Sequence, residues 1–231
     1  MGDWQGIEAL VFDLDGTLYD DPELLAAYPR RAVDLIAERC RVGRREAALL
    51  YEETWSALAG EVPSGTASTT QALMRLTGVT LGEWAQYLQA HLDPAAYLEP
   101  GVPGWMGELF PRLHRRYRLG LVSNNNRMLA DRILSLLGIA GCFDAVLTTT
   151  ESGRLKPDLT LYLEIAGRLQ VPVHACLSIG DRPAADIAPA RAAGMQAVLV
   201  HGPEDVRRLA LTLLGEAELA GQFGALGGTV V

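Results

Sequence analysis

Three cysteines in 231 residues, Cys40, Cys142 and Cys176, are odd in number, widely spaced and without a CxxC pair. That excludes a disulfide frame and a cysteine-based zinc site, and it suits small thiols in a reducing, cytoplasmic setting. No stretch approaches 18 uninterrupted apolar residues, so no membrane span is expected. Met1 to Glu8 carries two acids and neither Lys nor Arg, unlike the basic start of a signal peptide. Positive charge is in deficit, 20 Lys+Arg against 28 Asp+Glu for a net −8, with no basic stripe. Such a chain matches a nucleic-acid backbone poorly, and no nucleic-acid partner is expected. A small anionic substrate stays compatible, because a local site can be positive on a negative protein. Apolar residues, by contrast, are plentiful: 49% hydrophobic against 21% charged describes a folded chain with a real core. Its length suits one large domain or one domain carrying an insertion.

Ile7 to Asp13 is a short apolar run ending abruptly in acid and glycine, as a buried strand ends. From about Pro22 to His91 the period changes to three and four, through Leu24, Leu25 and Tyr28, then Val33, Leu35 and Ile36, then Leu49, Leu50, Trp55 and Leu58. Amphipathic helices are expected there, with a polar break at Pro63 to Thr66. Pro100 to Gly104 reads as a linker. Beyond it, strand patterns (118–123, 143–148, 175–180, 196–200) alternate with helix patterns (128–137, 159–169, 184–193), and a glycine-rich tail begins near Gly215. The expected fold class is α/β, a Rossmann-like parallel sheet core with helices on both faces plus an α-helical cap domain. The core is expected over residues 1–17 and 100–231, and the helical insertion over 18–99.

Ligands of an open parallel sheet bind beyond the carboxyl ends of its strands. Those ends carry Asp13-Leu14-Asp15-Gly16-Thr17, then Ser123-Asn124-Asn125, then Lys156, then Gly180-Asp181 with Asp186 five residues on. Singly, an Asp before Gly is a turn residue and an Asp near a helix start is a cap. Jointly they bring several acids, a hydroxyl, an amide and one lysine to one rim. Carboxylates gathered there repel one another unless a cation shares them, and an all-oxygen donor set favours Mg²⁺. One carboxylate can attack phosphorus, a second can protonate the leaving oxygen, and metal and lysine can neutralise the phosphoryl oxygens.

These motifs resemble, in order and over nearly the whole chain, the haloacid dehalogenase (HAD) superfamily, specifically its phosphatases with a helical cap after the first strand. Asp13 to Leu18 is similar to the DxDGT signature, Ser123-Asn124 to the second motif, Lys156-Pro157 to the third, and Gly180-Asp181 with Asp186 to the fourth. The resemblance implies Asp13 as the nucleophile that becomes an aspartyl-phosphate and Asp15 as general acid/base with its backbone carbonyl on the metal. It implies Ser123, Asn124 and Lys156 as phosphate-binding, and Asp13, Asp15 and Asp181 as the Mg²⁺ site. Asp186 then either binds metal through water or orients Lys156, and Thr17 stands with it behind the ligands. The dehalogenases of the superfamily lack an acid at position 15, because halide leaves without a proton, so Asp15 favours phosphate esters.

The expected activity is Mg²⁺-dependent hydrolysis of a small phosphate monoester of the phosphoglycolate, nucleotide, flavin mononucleotide or sugar phosphate type. A phosphomutase and a non-catalytic interaction protein are the alternatives, and oligomeric state stays open. His91, His114, His174 and His201 match no ligand spacing. Trp55, Trp84 and Trp105 read as core or interface residues. Arg112 to Arg116 reads as the solvated face of a helix.

Overall fold

The computed structural model describes residues 4–61, 67–98 and 103–216. The polar break at 63–66, most of the 100–104 linker and the tail beyond 216 lie outside the described residues. The chain divides into two compact units, one of residues 1–21 with 98–231 and the other Pro22–Tyr97.

The larger unit is built on five parallel strands, β1 (Ala9–Phe12), β2 (Arg118–Val122), β3 (Ala145–Leu147), β4 (Cys176–Gly180) and β5 (Gln196–Leu199), in the order β3-β2-β1-β4-β5. β1 is central and buried on both faces, which is why its sequence is an unbroken apolar run. Its residues alternate between faces. Ala9 and Val11 join a core with Tyr162, Ile165 and Leu169 of the helix Thr160–Leu169. Phe12, one residue on, faces Phe110 of the helix Trp105–His114, ring centroids 5.3 Å apart. Helices therefore cover both faces. Phe12 stands opposite Leu121 of β2 and Ile179 of β4, so the ends of three strands lie level. The chain runs from β1 outward to β2 and β3, then returns to the other side of β1 for β4 and β5. The topological switch point, where such sheets bind ligands, thus lies between β1 and β4.

The smaller unit is helical: α1 (Pro22–Cys40), α2 (Arg44–Glu61), α3 (Thr69–Thr77) and α4 (Leu81–His91). The first two apolar clusters of this stretch belong to one helix, α1, which continues through Pro29. In α2 the expected apolar face is incompletely covered. Only Ala47 is buried, Trp55 is half-buried, and Leu49 is 54% exposed, because the helix packs through a small side chain rather than its leucines. In sequence order the larger unit then contributes α5 (Trp105–His114), α6 (Arg127–Leu136), α7 (Thr149–Ser152), α8 (Thr160–Leu169), α9 (Ala188–Ala192) and α10 (Pro203–Leu213). The helix pattern read over 184–193 is in fact a π turn, Pro183–Ile187, running into α9. Of the 112–116 cluster, Arg112 pairs with Glu216 and Arg116 donates to the Leu213 carbonyl, while Leu113 is buried. Among the described residues no helix is long and apolar enough to cross a membrane.

Candidate active site

At the carboxyl ends of β1 and β4, oxygens of Asp13, Asp181 and Asp186 lie within 4.8 Å of one another, the first and last of these residues buried. Lys156, on the loop before α8, has a fully buried side chain and bridges two of them. Its ammonium donates to Asp13 Oδ1 and, at 2.6 Å, to Asp186 Oδ1. Burial alone would lower the lysine pKa, but the Asp13 and Asp186 carboxylates more than offset it and hold it above the ordinary value. The lysine loop is anchored by Asn124, whose Oδ1 accepts the Lys156 N–H at 2.7 Å while Nδ2 donates to the Lys156 carbonyl at 3.4 Å. Asn124 therefore spends its amide on the loop carrying the lysine, and the group it leaves unspent is its backbone N–H.

Asp186 reaches the lysine because the π turn inserts one extra residue and folds it back. Ser178 Oγ donates to the Asp186 carbonyl at 3.2 Å, and Tyr162 donates its hydroxyl to the Ala185 carbonyl at 2.8 Å. Asp186 Oδ2 accepts the Arg182 N–H at 2.9 Å. Gly180 makes room: a Cβ there would overlap the Asp186 side chain. Both Asp186 oxygens are thus engaged. Asp13 Oδ2 and Asp181 Oδ1 are buried with no hydrogen-bond partner among the described residues. Burial first, then the charges of Asp13 and Asp186, push the Asp181 carboxyl up to about 7.

Unpaired buried carboxylate oxygens are costly, and two of them facing one group of acids fit a bound cation. The donors are all oxygen, which suits a hard cation. Gly16 at φ +80° lets the turn after β1 approach, since a Cβ there would overlap the Asp181 carboxylate.

Asp15 sits apart from this group through its carboxyl. Tyr19 donates its hydroxyl to Oδ1, and Asn125 Nδ2 lies 3.0 Å from Oδ1 and 2.9 Å from Oδ2. Ser123 is buried, and its Oγ accepts the Asn125 N–H at 3.0 Å, which leaves the hydroxyl proton available. The N–H groups of Leu14, Asp15 and Asn124 have no acceptor among the described residues. With the Ser123 hydroxyl they are donors left unspent in the segments that follow β1 and β2, the kind of group an oxyanion requires. Thr17 is fully buried and its hydroxyl has no partner among the described residues.

Of the residues expected at the rim, Asp13, Asp15 and Thr17 follow β1, Ser123 and Asn124 follow β2, Asp181 and Asp186 follow β4, and Lys156 is on the loop between α7 and α8. Three further residues join them. Asn125 was visible at a strand end without a role, Tyr19 lies two residues past the DxDGT string, and Arg182 follows Asp181 directly, its Nε 4.0 Å from Asp181 and 3.9 Å from Asp186. None of the four histidines is in the acid group.

A family model of haloacid dehalogenase-like hydrolases matches residues 7–194. A glyceraldehyde 3-phosphate phosphatase of Methanothermobacter thermautotrophicus is 27% identical over 201 residues, covering 84% of this chain and 86% of that protein. A phosphoglycolate phosphatase of Cupriavidus necator is 26% identical over 199 residues, covering 84% and 80%. The solved structure of a HAD phosphatase from Thermococcus onnurineus superimposes with a TM-score of 0.58 at 23% identity, covering 84% and 86%, a likeness of fold.

Proposed function

Since the chain belongs to the haloacid dehalogenase-like hydrolase family, we propose that it is a Mg²⁺-dependent phosphatase acting on a small phosphate monoester through an aspartyl-phosphate. The observation that carries this reading is the state of Asp13. One of its oxygens is fixed by a buried ammonium and the other is buried without a partner, at the end of the strand beside the switch point. Relatives named for glyceraldehyde 3-phosphate and phosphoglycolate support a small phosphorylated metabolite as substrate.

The nucleophile is an Asp13 oxygen. As its bond to phosphorus forms, the bond from phosphorus to the ester oxygen breaks, and Asp15 gives that oxygen a proton. Water then attacks the same phosphorus and loses its proton to Asp15, which releases phosphate and restores Asp13. Lys156, the Ser123 hydroxyl and the Leu14, Asp15 and Asn124 N–H groups hold the phosphoryl oxygens throughout. Asp186, with both oxygens engaged, orients Lys156 instead of holding metal. Asp13, Asp181 and the Asp15 backbone carbonyl would hold Mg²⁺. When bound, the ion supplies positive charge to the transferring phosphoryl group.

An acid at position 15 supports an ester substrate over a halide, which leaves without a proton. Contacts to phosphate are common to every monoester, so we assign choice of the leaving group to the helical unit, as a cap. Three free cysteines support a reducing, cytoplasmic setting. The decisive experiment is phosphate release from a panel of metabolite monoesters and para-nitrophenyl phosphate, with Mg²⁺ or with excess chelator, for the parent and Asp13→Asn. Mg²⁺-dependent release by the parent alone is expected. Release that persists in chelator, or in Asp13→Asn, overturns the reading, and so does isomerised sugar phosphate in place of free phosphate.

A further inference from the structure

The Asp15 carboxyl is held from two sides by residues that neither the nucleophile nor the phosphate cradle requires. Tyr19 arrives by a tight turn: Gly16 adopts the left-handed conformation, its N–H donates to the Tyr19 carbonyl at 2.8 Å, and Asp15 and Tyr19 pair as an isolated bridge. That places the phenol against Asp15 Oδ1. Asn125 arrives from the end of β2. Its backbone is pinned at both groups, the N–H on Ser123 Oγ and the carbonyl accepting from the Thr149 N–H at 3.1 Å and the Thr149 hydroxyl at 3.0 Å. Its Nδ2 spans both Asp15 oxygens. Tyr19 and Asn125 are buried while Asp15 is half-buried. Two fixed donors therefore grip a carboxyl that keeps an exposed side.

We propose that Tyr19 and Asn125 are positioning residues that hold Asp15 for proton transfer to the leaving oxygen, and that hydrolysis of esters with poor leaving groups depends on them. The proposal rests on the phosphatase reading above. A free carboxyl turns about two side-chain bonds, and a proton donor works only within hydrogen-bond reach of its acceptor. Holding it aligned removes that search, and small misplacements are costly. The chemistry of the two partners suits the cycle. A phenol donates or accepts, so Tyr19 can stay bonded while Asp15 loses its proton to the leaving oxygen and regains one from water. Asn125 Nδ2 donates in both stages. Neither residue forms or breaks a covalent bond.

The test compares kcat/KM for the alkyl monoester that the parent hydrolyses best in that panel with that for para-nitrophenyl phosphate, whose aryl oxide leaves with little protonation. It uses the full chain with Mg²⁺ and the variants Tyr19→Phe, Asn125→Ala and both together. Tyr19→Phe keeps the ring packed and removes one oxygen, so it decides the matter even if Asn125→Ala folds poorly. The expected result is a fall of roughly 10- to 100-fold on the alkyl ester against less than about threefold on the aryl ester. The double variant should fall less than the product of the single effects, since both act on one carboxyl. Equal losses on the two esters, or no loss on either, overturn the positioning role while leaving the phosphatase reading intact. If the parent releases phosphate from no ester of the panel, the phosphatase reading falls and the proposal with it.

Discussion

In the helical unit, charged side chains meet at the surface. Arg30 pairs with Glu23, Arg39 with Glu83 and Arg75 with Glu61, each pair well exposed, and the helices carry their own caps at Ser68 and Thr80. In the unit around the sheet, Lys156, Asp13 and Asp186 are paired with almost no exposure, and two carboxylate oxygens close by are left without partners. An exposed pair in high dielectric gains little and is screened by salt. A buried one has given up hydration for each charge, a cost that a folding domain has no need to carry. The difference teaches where chemistry has overridden stability: among the described residues, the buried charge group with an ammonium shared by two carboxylates is in the larger unit.

The hardest test of that contrast is removal of the nucleophile. Asp13→Asn is expected to lower kcat by roughly 10³-fold or more while leaving the fold intact. Glu23→Gln, on the surface of the helical unit, should leave both kcat and the melting midpoint unchanged. Steady-state rates and thermal melts on the two variants check this, and a comparable loss in the second would erase the distinction.

The next test is of stability. Lys156→Met strands two buried carboxylates, and urea unfolding should show a loss of about 3–5 kcal/mol. Arg75→Met breaks a fully exposed pair and should leave the urea midpoint where it was.

A smaller effect sharpens the contrast through pH. Asp181 titrates near 7 in the metal-free protein, above the usual range for a carboxyl, because it is buried and lies beside Asp13 and Asp186. The folded state then holds a proton that the unfolded chain has released. This contribution to stability is full below the unfolded carboxyl pKa of about 4 and is lost as pH rises through about 7. Melts in chelator from pH 5 to 8 should show the decline. Because Mg²⁺ must displace the same proton, its apparent affinity should weaken up to about tenfold for each pH unit below 7. An affinity that does not change from pH 5 to 7 would remove Asp181 from the ligand set.

The smallest expected effect is in the helical unit. Leu49→Gln, on the exposed side of α2, should change unfolding free energy by less than about 0.5 kcal/mol. A larger loss would mean that this face is covered in solution.

Much of the fold is legible because a central parallel strand and an amphipathic helix leave opposite periodicities. The run 7–13 contains β1, the patterns at 118–123 and 175–180 contain β2 and β4, and the pattern at 128–137 is shifted by one residue from α6 at Arg127–Leu136. Periodicity reports what a helix could bury, not what it does bury, so the leucines of α2 mislead. The π turn at Pro183–Ile187 is invisible for a different reason: its extra residue satisfies Asp186 and Lys156 rather than any local preference. At the rim, the acids and the lysine were readable because strand ends have no structural need for them. Tyr19 and Asn125 were not assigned a role, since their contacts with Asp15 depend on a turn closing and on two strands, 110 residues apart, ending level.

That level ending makes the sheet a ruler with two-residue graduations. Phe12 is locked across from both Leu121 and Ile179, so one inserted or deleted residue within β1 cannot be absorbed as a small displacement. It turns the following side chain to the opposite face of the sheet, away from Lys156. A length change is thus tolerable in the stretches between strands, whereas a single residue gained or lost within β1 would surrender the position of Asp13 even with every residue of the motif still present.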